Sequence, residues 1–121
     1  TIFVSSFILG NNILNLQKNG NTYISCLGEI NSSDLLNNSN IKCMSISPKF
    51  ISIKRSESGN AIVISKEFLG EFLIYKVSIS EDILRVRTNI NNKLNNGDKC
   101  SLSINKNSYY FLYPGAQKVY I

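Results

Sequence analysis

The stretch AIVISKEFLGEFLIYKVSISEDILRVRT, residues 61–88, decides the fold class. Ala61-Ile62-Val63-Ile64 is a short apolar run suited to a buried strand. Leu73, Tyr75, Val77 and Ile79 then alternate with Ile74, Lys76, Ser78 and Ser80, the period-2 pattern of a half-buried strand. Between them, Glu67-Phe68-Leu69-Gly70-Glu71 holds the point where one strand gives way to the next. Gly70 is the residue there that turns sharply at little steric cost. After the polar corner Ser80-Glu81-Asp82, residues 83–88 place Leu84 and Val86 on one face and Arg85 and Arg87 on the other. Three antiparallel strands in succession predict a small β domain.

Working outward, the preceding residues supply further strands. Residues 11–16 read as one, and Asn19-Gly20-Asn21 is a strong hairpin turn into residues 22–27. Residues 28–40 are polar and Asn-rich, with an extra strand or turn at Asp34-Leu35-Leu36. Residues 41–46 follow, ended by Ser47-Pro48 because Pro does not continue a central ladder. Ile51 and Ile53 share a face in residues 50–53, ahead of the turn at 56–60. Downstream, Asn95-Asn96-Gly97-Asp98 closes a loop, and Cys100, Leu102 and Ile104 face inward from Lys99–Ile104. An aromatic cluster, Tyr109–Tyr113, is broken by Pro114-Gly115 before residues 119–121. About eight short strands at regular spacing indicate an all-β barrel or sandwich.

At the N-terminus, Phe3, Val4, Phe7 and Ile8 fall on one helical face and Gly10 ends it, so residues 1–10 read as a short helix. That helix begins without an initiating Met, and an expected longer protein precedes it. A chain of 121 residues makes one domain. No apolar run approaches the ~20 residues of a membrane-spanning helix, and no charged-then-apolar leader opens the chain.

Net charge is +5, which raises nucleic acid or an anionic surface as partners. The cations are scattered, however, and the densest group is only Lys49, Lys54 and Arg55, too sparse to track a phosphate backbone. Three cysteines, Cys26, Cys43 and Cys100, sit in apolar or alternating stretches, where a reduced thiol acts as a small hydrophobe. With an odd count, no C-x₂-C pair and no His, they argue against structural zinc and for a reducing compartment, hence cytosol.

Most catalytic chemistry fails for want of residues. Without His there is no Ser–His or Cys–His pair and no ordinary near-neutral proton carrier. No G-x-x-x-x-G-K-[ST] loop is present to cradle a nucleotide. Glu67 and Glu71 bracket the central turn, but on a tight strand exchange they point to solvent rather than form a carboxylate pair. Phe72, Tyr75, Tyr109, Tyr110, Phe111 and Tyr113 would suit a base-stacking platform of the oligonucleotide-binding type. Aromatics at such strand positions serve more often as core or interface.

In order and spacing, several short motifs resemble the C-terminal regulatory (TOBE) domain of ABC-importer ATPases of the maltose, iron(III) and spermidine/putrescine type. Phe3-Val4-Ser5-Ser6-Phe7-Ile8-Leu9-Gly10-Asn11-Asn12 resembles the family's FVA-x-FIG-x-x-N segment, and Ile46-Ser47-Pro48-Lys49 its I-R-P-E. Phe68-Leu69-Gly70 matches the (Y/F)LG turn, Leu84-Arg85-Val86 the L-x-V strand and Gly97-Asp98-Lys99 the G-D-x-V lead-in to a late strand. The resemblance spans essentially the whole chain and rests on order, since no single motif is specific. Ser47 and Lys49 depart from the family's Arg and Glu, so a salt bridge made there by the family does not carry over.

The resemblance implies an oligonucleotide-binding-like antiparallel barrel or sandwich over residues 11–121, with residues 1–10 as a linker helix from an ATPase domain. It implies an accessory domain without chemistry or cofactor of its own, ATP and magnesium belonging to that ATPase domain. Its place would be cytoplasmic, at the inner face of the cell membrane, beside its own ATPase domain and indirectly the membrane subunits. Its partner would be a second copy of itself. Phe68, Leu69, Phe72, Tyr109, Tyr110 and Phe111 are the expected homodimer interface, and Ser47, Pro48 and Lys49 a loop for a small-molecule effector. Two other readings stand beside it: a nucleic-acid-binding barrel, and a sensor of small anions.

Overall fold

The computed structural model describes residues 10–20, 22–30, 41–114 and 117–121. The expected linker helix over residues 1–10 and the expected element at Asp34-Leu35-Leu36 lie outside them, apart from Gly10. Among the described residues twelve strands follow one another: β1 Asn12–Asn15, β2 Gln17–Asn19, β3 Thr22–Ser25, β4 Gly28–Ile30, β5 Cys43–Ile46, β6 Ile51–Arg55, β7 Ala61–Phe68, β8 Phe72–Ile79, β9 Asp82–Asn89, β10 Lys99–Ile104, β11 Tyr109–Tyr113 and β12 Gln117–Tyr120. One turn of 3₁₀-helix, Pro48–Phe50, stands between β5 and β6. Among the described residues there is no α-helix.

The strands form three antiparallel sheets. Five make the largest, in the order β6-β10-β7-β8-β9, and its two edge strands β6 and β9 approach each other, so that the sheet curls toward a barrel. A four-stranded sheet, β1-β5-β11-β12, and a three-stranded one, β2-β3-β4, complete the fold. The all-β expectation therefore holds, in a small barrel-like sandwich. β4 had no signal in the Asn-rich composition of residues 28–40. Its inward residue is Ile30, paired with Tyr23 on β3.

Alternation on β8 and β9 was read correctly. Leu73, Tyr75, Val77 and Ile79 point into the core with Leu84 and Val86 opposite, while Arg85 and Arg87 face out. Each such apolar side chain contributes about 1.5–3 kcal/mol on burial. The same core continues without a break through Leu14, Met44, Ile46 and Leu112 of the four-stranded sheet and Tyr23 and Ile30 of the small one.

β7 differs from its expectation as a short buried strand. It runs eight residues, with a bulge between Val63 and Ser65, and Ile62 and Ile64 project outward and are exposed. Beyond the bulge, Lys66 pairs with Tyr75 and its ammonium reaches the Leu94 carbonyl at 3.1 Å. The β7–β8 corner is the predicted one. Gly70 adopts φ +83°, a left-handed conformation that a side chain would strain.

Tyr75 is fully buried, and its hydroxyl holds the loop between β9 and β10. It accepts the Leu94 amide at 3.1 Å and donates to Asn92 Oδ1 at 2.8 Å. Leu94 is thereby drawn into the core as a plug. Farther along, Asp98 ties the loop to β6 through an ion pair with Arg55 at 2.9 Å.

Candidate functional site

Two segments distant in sequence build a cleft that sets cationic side chains beside apolar ones. The first is the turn after β5. Ser47 caps it, its hydroxyl accepting the Lys49 amide at 3.4 Å while its carbonyl accepts the Phe50 amide at 3.0 Å. Pro48, with φ fixed and no N–H to satisfy, suits the first position of that turn. The second is the β7–β8 corner, pinned by the Leu69 amide donating to the Phe72 carbonyl at 2.9 Å. Between them opens a cleft of about 270 Å³, lined by Ser47, Pro48 and Lys49 on one side and by Glu67, Leu69, Phe72, Ile74, Arg85 and Arg87 on the other, with Gly10 at its rim.

Strand register sets the cleft's chemistry. Glu67, Ile74 and Arg87 are cross-strand neighbours in one outward row, and Arg85 is two residues back along β9 on the same face. The Arg87 guanidinium lies over the Phe72 ring at 3.8 Å, a cation–π stack that fixes its plane. Lys49 lies over the Phe50 ring at 5.1 Å. Among the described residues the one ion pair is Arg55–Asp98, so the three cations of the cleft have no carboxylate bound to them. Three cations against one carboxylate leave the cleft net positive, over a floor of Leu69, Phe72 and Ile74.

Asn12 locks this face to the rest of the fold. Its buried amide accepts the Arg85 backbone N–H and donates to the Arg85 carbonyl, both at 2.8 Å. These two hydrogen bonds pair the outward backbone groups of Arg85, midway along the outer edge of β9. It also fixes the backbone from which the Arg85 side chain projects.

A second feature is aromatic. Tyr109 packs edge-on against Phe50 at 4.9 Å and Phe111 at 5.9 Å, with Tyr120 at 6.0 Å. Lys118 sits over the group, 4.2 Å from the Tyr109 centroid. Its pKa is raised, chiefly by a hydrogen bond with Tyr120. Because Phe50 follows Lys49, the capped turn stands between the cleft and the aromatic group.

Of the expected interface residues, Phe68 is 61% exposed and Leu69 is also exposed, while Phe72, Tyr109 and Phe111 are half-buried. Tyr110 is a correction. It is 4% exposed, within the chain's own core, because alternation on β11 turns Tyr110 and Leu112 inward and Tyr109 and Phe111 outward. Tyr75 and Tyr113 are buried as well, which agrees with the core role expected of aromatics at such strand positions and leaves Phe72, Tyr109 and Phe111 as the partly exposed rings of the six. Tyr120, 71% exposed, was missed because residues 119–121 were read only as a terminal strand. Arg85 and Arg87 were placed outward but given no role; the signal available was their spacing of two beside an aromatic corner.

The cysteines are all free thiols, Cys100 buried and Cys26 and Cys43 half-buried. Burial pushes the Cys26 thiol up to about 12, with the Asp82 carboxylate adding to the effect. Among the described residues no group of His, Cys, Asp and Glu is arranged to hold a metal ion, and no helix is long and apolar enough to cross a membrane. Compared with models of known protein families and with curated proteins, the chain matches none.

Proposed function

We propose that this chain is an accessory regulatory domain of the TOBE type, belonging to the ATP-binding subunit of an ABC importer. The observation that carries the reading is that motif residues scattered through the sequence interlock in space. Asn12, the last residue of the first motif, bonds both backbone groups of Arg85, the middle residue of Leu84-Arg85-Val86. Ser47-Pro48-Lys49 and Leu69 of the Phe68-Leu69-Gly70 turn then line one cleft beside that same arginine. Gly97-Asp98-Lys99 provides a turn with Gly97 at φ +91° and the Asp98 carboxylate accepting the Asn95 amide at 2.7 Å. Motifs that mattered only as isolated words would have no reason to meet.

On this reading the domain performs no chemistry. It acts in the cytoplasm beside the membrane by pairing with its copy in a second subunit and by taking up an effector, shifting the balance between resting and working states. The pairing surface is the exposed Phe68 with the outward aromatics Tyr109, Phe111 and Tyr120; Tyr110 has no part in it, and Leu69 lines the cleft instead. The test is the coding sequence that precedes Thr1. An ATPase domain with a G-x-x-x-x-G-K-[ST] loop is the expected finding, and an unrelated domain or a start codon at that point refutes the reading.

A further inference from the structure

We propose that the cleft between the capped turn and the β7–β8 corner binds a phosphate monoester of a small organic body, Arg85 and Arg87 holding the phosphate and Leu69, Phe72 and Ile74 receiving the rest. The phosphate half rests on the cations. Two guanidiniums two residues apart on one strand face point to the same side, and a planar guanidinium offers paired N–H donors that match two oxygens of a phosphate. Stacking on Phe72 orients Arg87 before any ligand arrives, which lowers the ordering cost of binding. Asn12 does the same for the Arg85 backbone. Lys49, from the capped turn, adds a third cation to the lining.

The organic half rests on shape and on the floor. A bare tetrahedral anion would leave most of a cleft of about 270 Å³ unfilled and the apolar side chains of Leu69, Phe72 and Ile74 uncovered. Pockets of a few hundred Å³ with an apolar lining and a few placed polar groups are typical of small organic ligands. Glu67 faces the same space and opposes a second negative charge; it is suited to accept a hydrogen bond from a hydroxyl on the ligand body. A single phosphate with a neutral, partly apolar body satisfies all of these groups.

The proposal deepens the effector role suggested above and rests on that reading only for its biological meaning. The coding sequence before Thr1 tests that reading, and the following titration tests this one. The chain is titrated with phenyl phosphate and separately with inorganic phosphate, followed by ¹H–¹⁵N spectra at two salt concentrations. Saturable shifts at Lys49, Leu69, Arg85 and Arg87 are expected, with phenyl phosphate at least tenfold tighter than inorganic phosphate. Arg85→Gln/Arg87→Gln should weaken phenyl phosphate at least tenfold. Lys54→Gln/Lys93→Gln removes the same charge from a separate basic concavity and should change affinity less than twofold. Glu67→Gln should strengthen binding severalfold. Shifts that never saturate, or equal losses in the two double variants, reduce the effect to net charge and overturn the proposal. Equal affinity for the two ligands overturns the organic half of it.

Discussion

Replacing Asn12 by Ala removes a side chain that bonds two backbone groups of a strand 73 residues away. The Arg85 N–H and C=O point outward from β9, where β8 does not reach them, and the Asn12 amide supplies both partners at 2.8 Å. Each group left unpaired away from water costs about 1–3 kcal/mol, and the site is only partly buried, so the lower half of that range applies. The expected loss is about 2–4 kcal/mol, a large share of the ~5–15 kcal/mol by which a domain of this kind is stable. With an unfolding entropy near 0.25 kcal/mol/K for 121 residues, the midpoint should fall by about 8–16 °C. Urea and thermal unfolding followed by circular dichroism measure the loss, and the urea m-value should stay unchanged because the exposed area does. Amide exchange gives the local readout: Arg85 should lose protection beyond the global change. A loss below about 0.5 kcal/mol with Arg85 still protected would mean that water replaces the amide at no cost, and the reasoning would fail.

Three further outcomes are expected. Gly59→Ala places a methyl group inside van der Waals range of the Cys100 carbonyl, a backbone atom that has no freedom to move, so a loss of at least about 2 kcal/mol should appear in the urea midpoint. The Cys26 thiol, raised to about 12 by burial and by Asp82, gives stability that is complete below its unfolded pKa near 9 and is lost as pH rises from there through about 12. Cys26→Ser should accordingly flatten the alkaline side of the stability profile, and native Cys26 should resist alkylation at pH 8 until denaturant is added. Phe68→Ser should weaken self-association in sedimentation at several concentrations without lowering the melting midpoint, since Phe68 is exposed in the single chain; an unchanged sedimentation profile, or a monomer in both forms, removes Phe68 from any pairing surface.

By itself the sequence determined the local grammar of the fold. The alternation of Leu73, Tyr75, Val77 and Ile79, and of Leu84 and Val86, states which side of each strand is buried, because successive side chains in a strand point to opposite faces. Gly70 and Gly97 mark corners because their left-handed φ is nearly strain-free only without a side chain. What the tertiary structure decided is everything that depends on which strand lies beside which. Alternation does not say whether the outer face of β7 is covered, so Ile62 and Ile64 were read as buried and are exposed. An aromatic cluster in sequence does not say which rings point inward. The parity of β11 assigns Tyr110 to the core and Tyr109 to the surface, and that parity depends on its pairing with β5 and β12. The cleft was legible only as unrelated pieces. Ser47-Pro48-Lys49, Phe68-Leu69-Gly70 and Arg85-Val86-Arg87 are each ordinary, and their chemistry exists only because the curl of the five-stranded sheet and the Asn12–Arg85 lock bring three cations to one apolar floor.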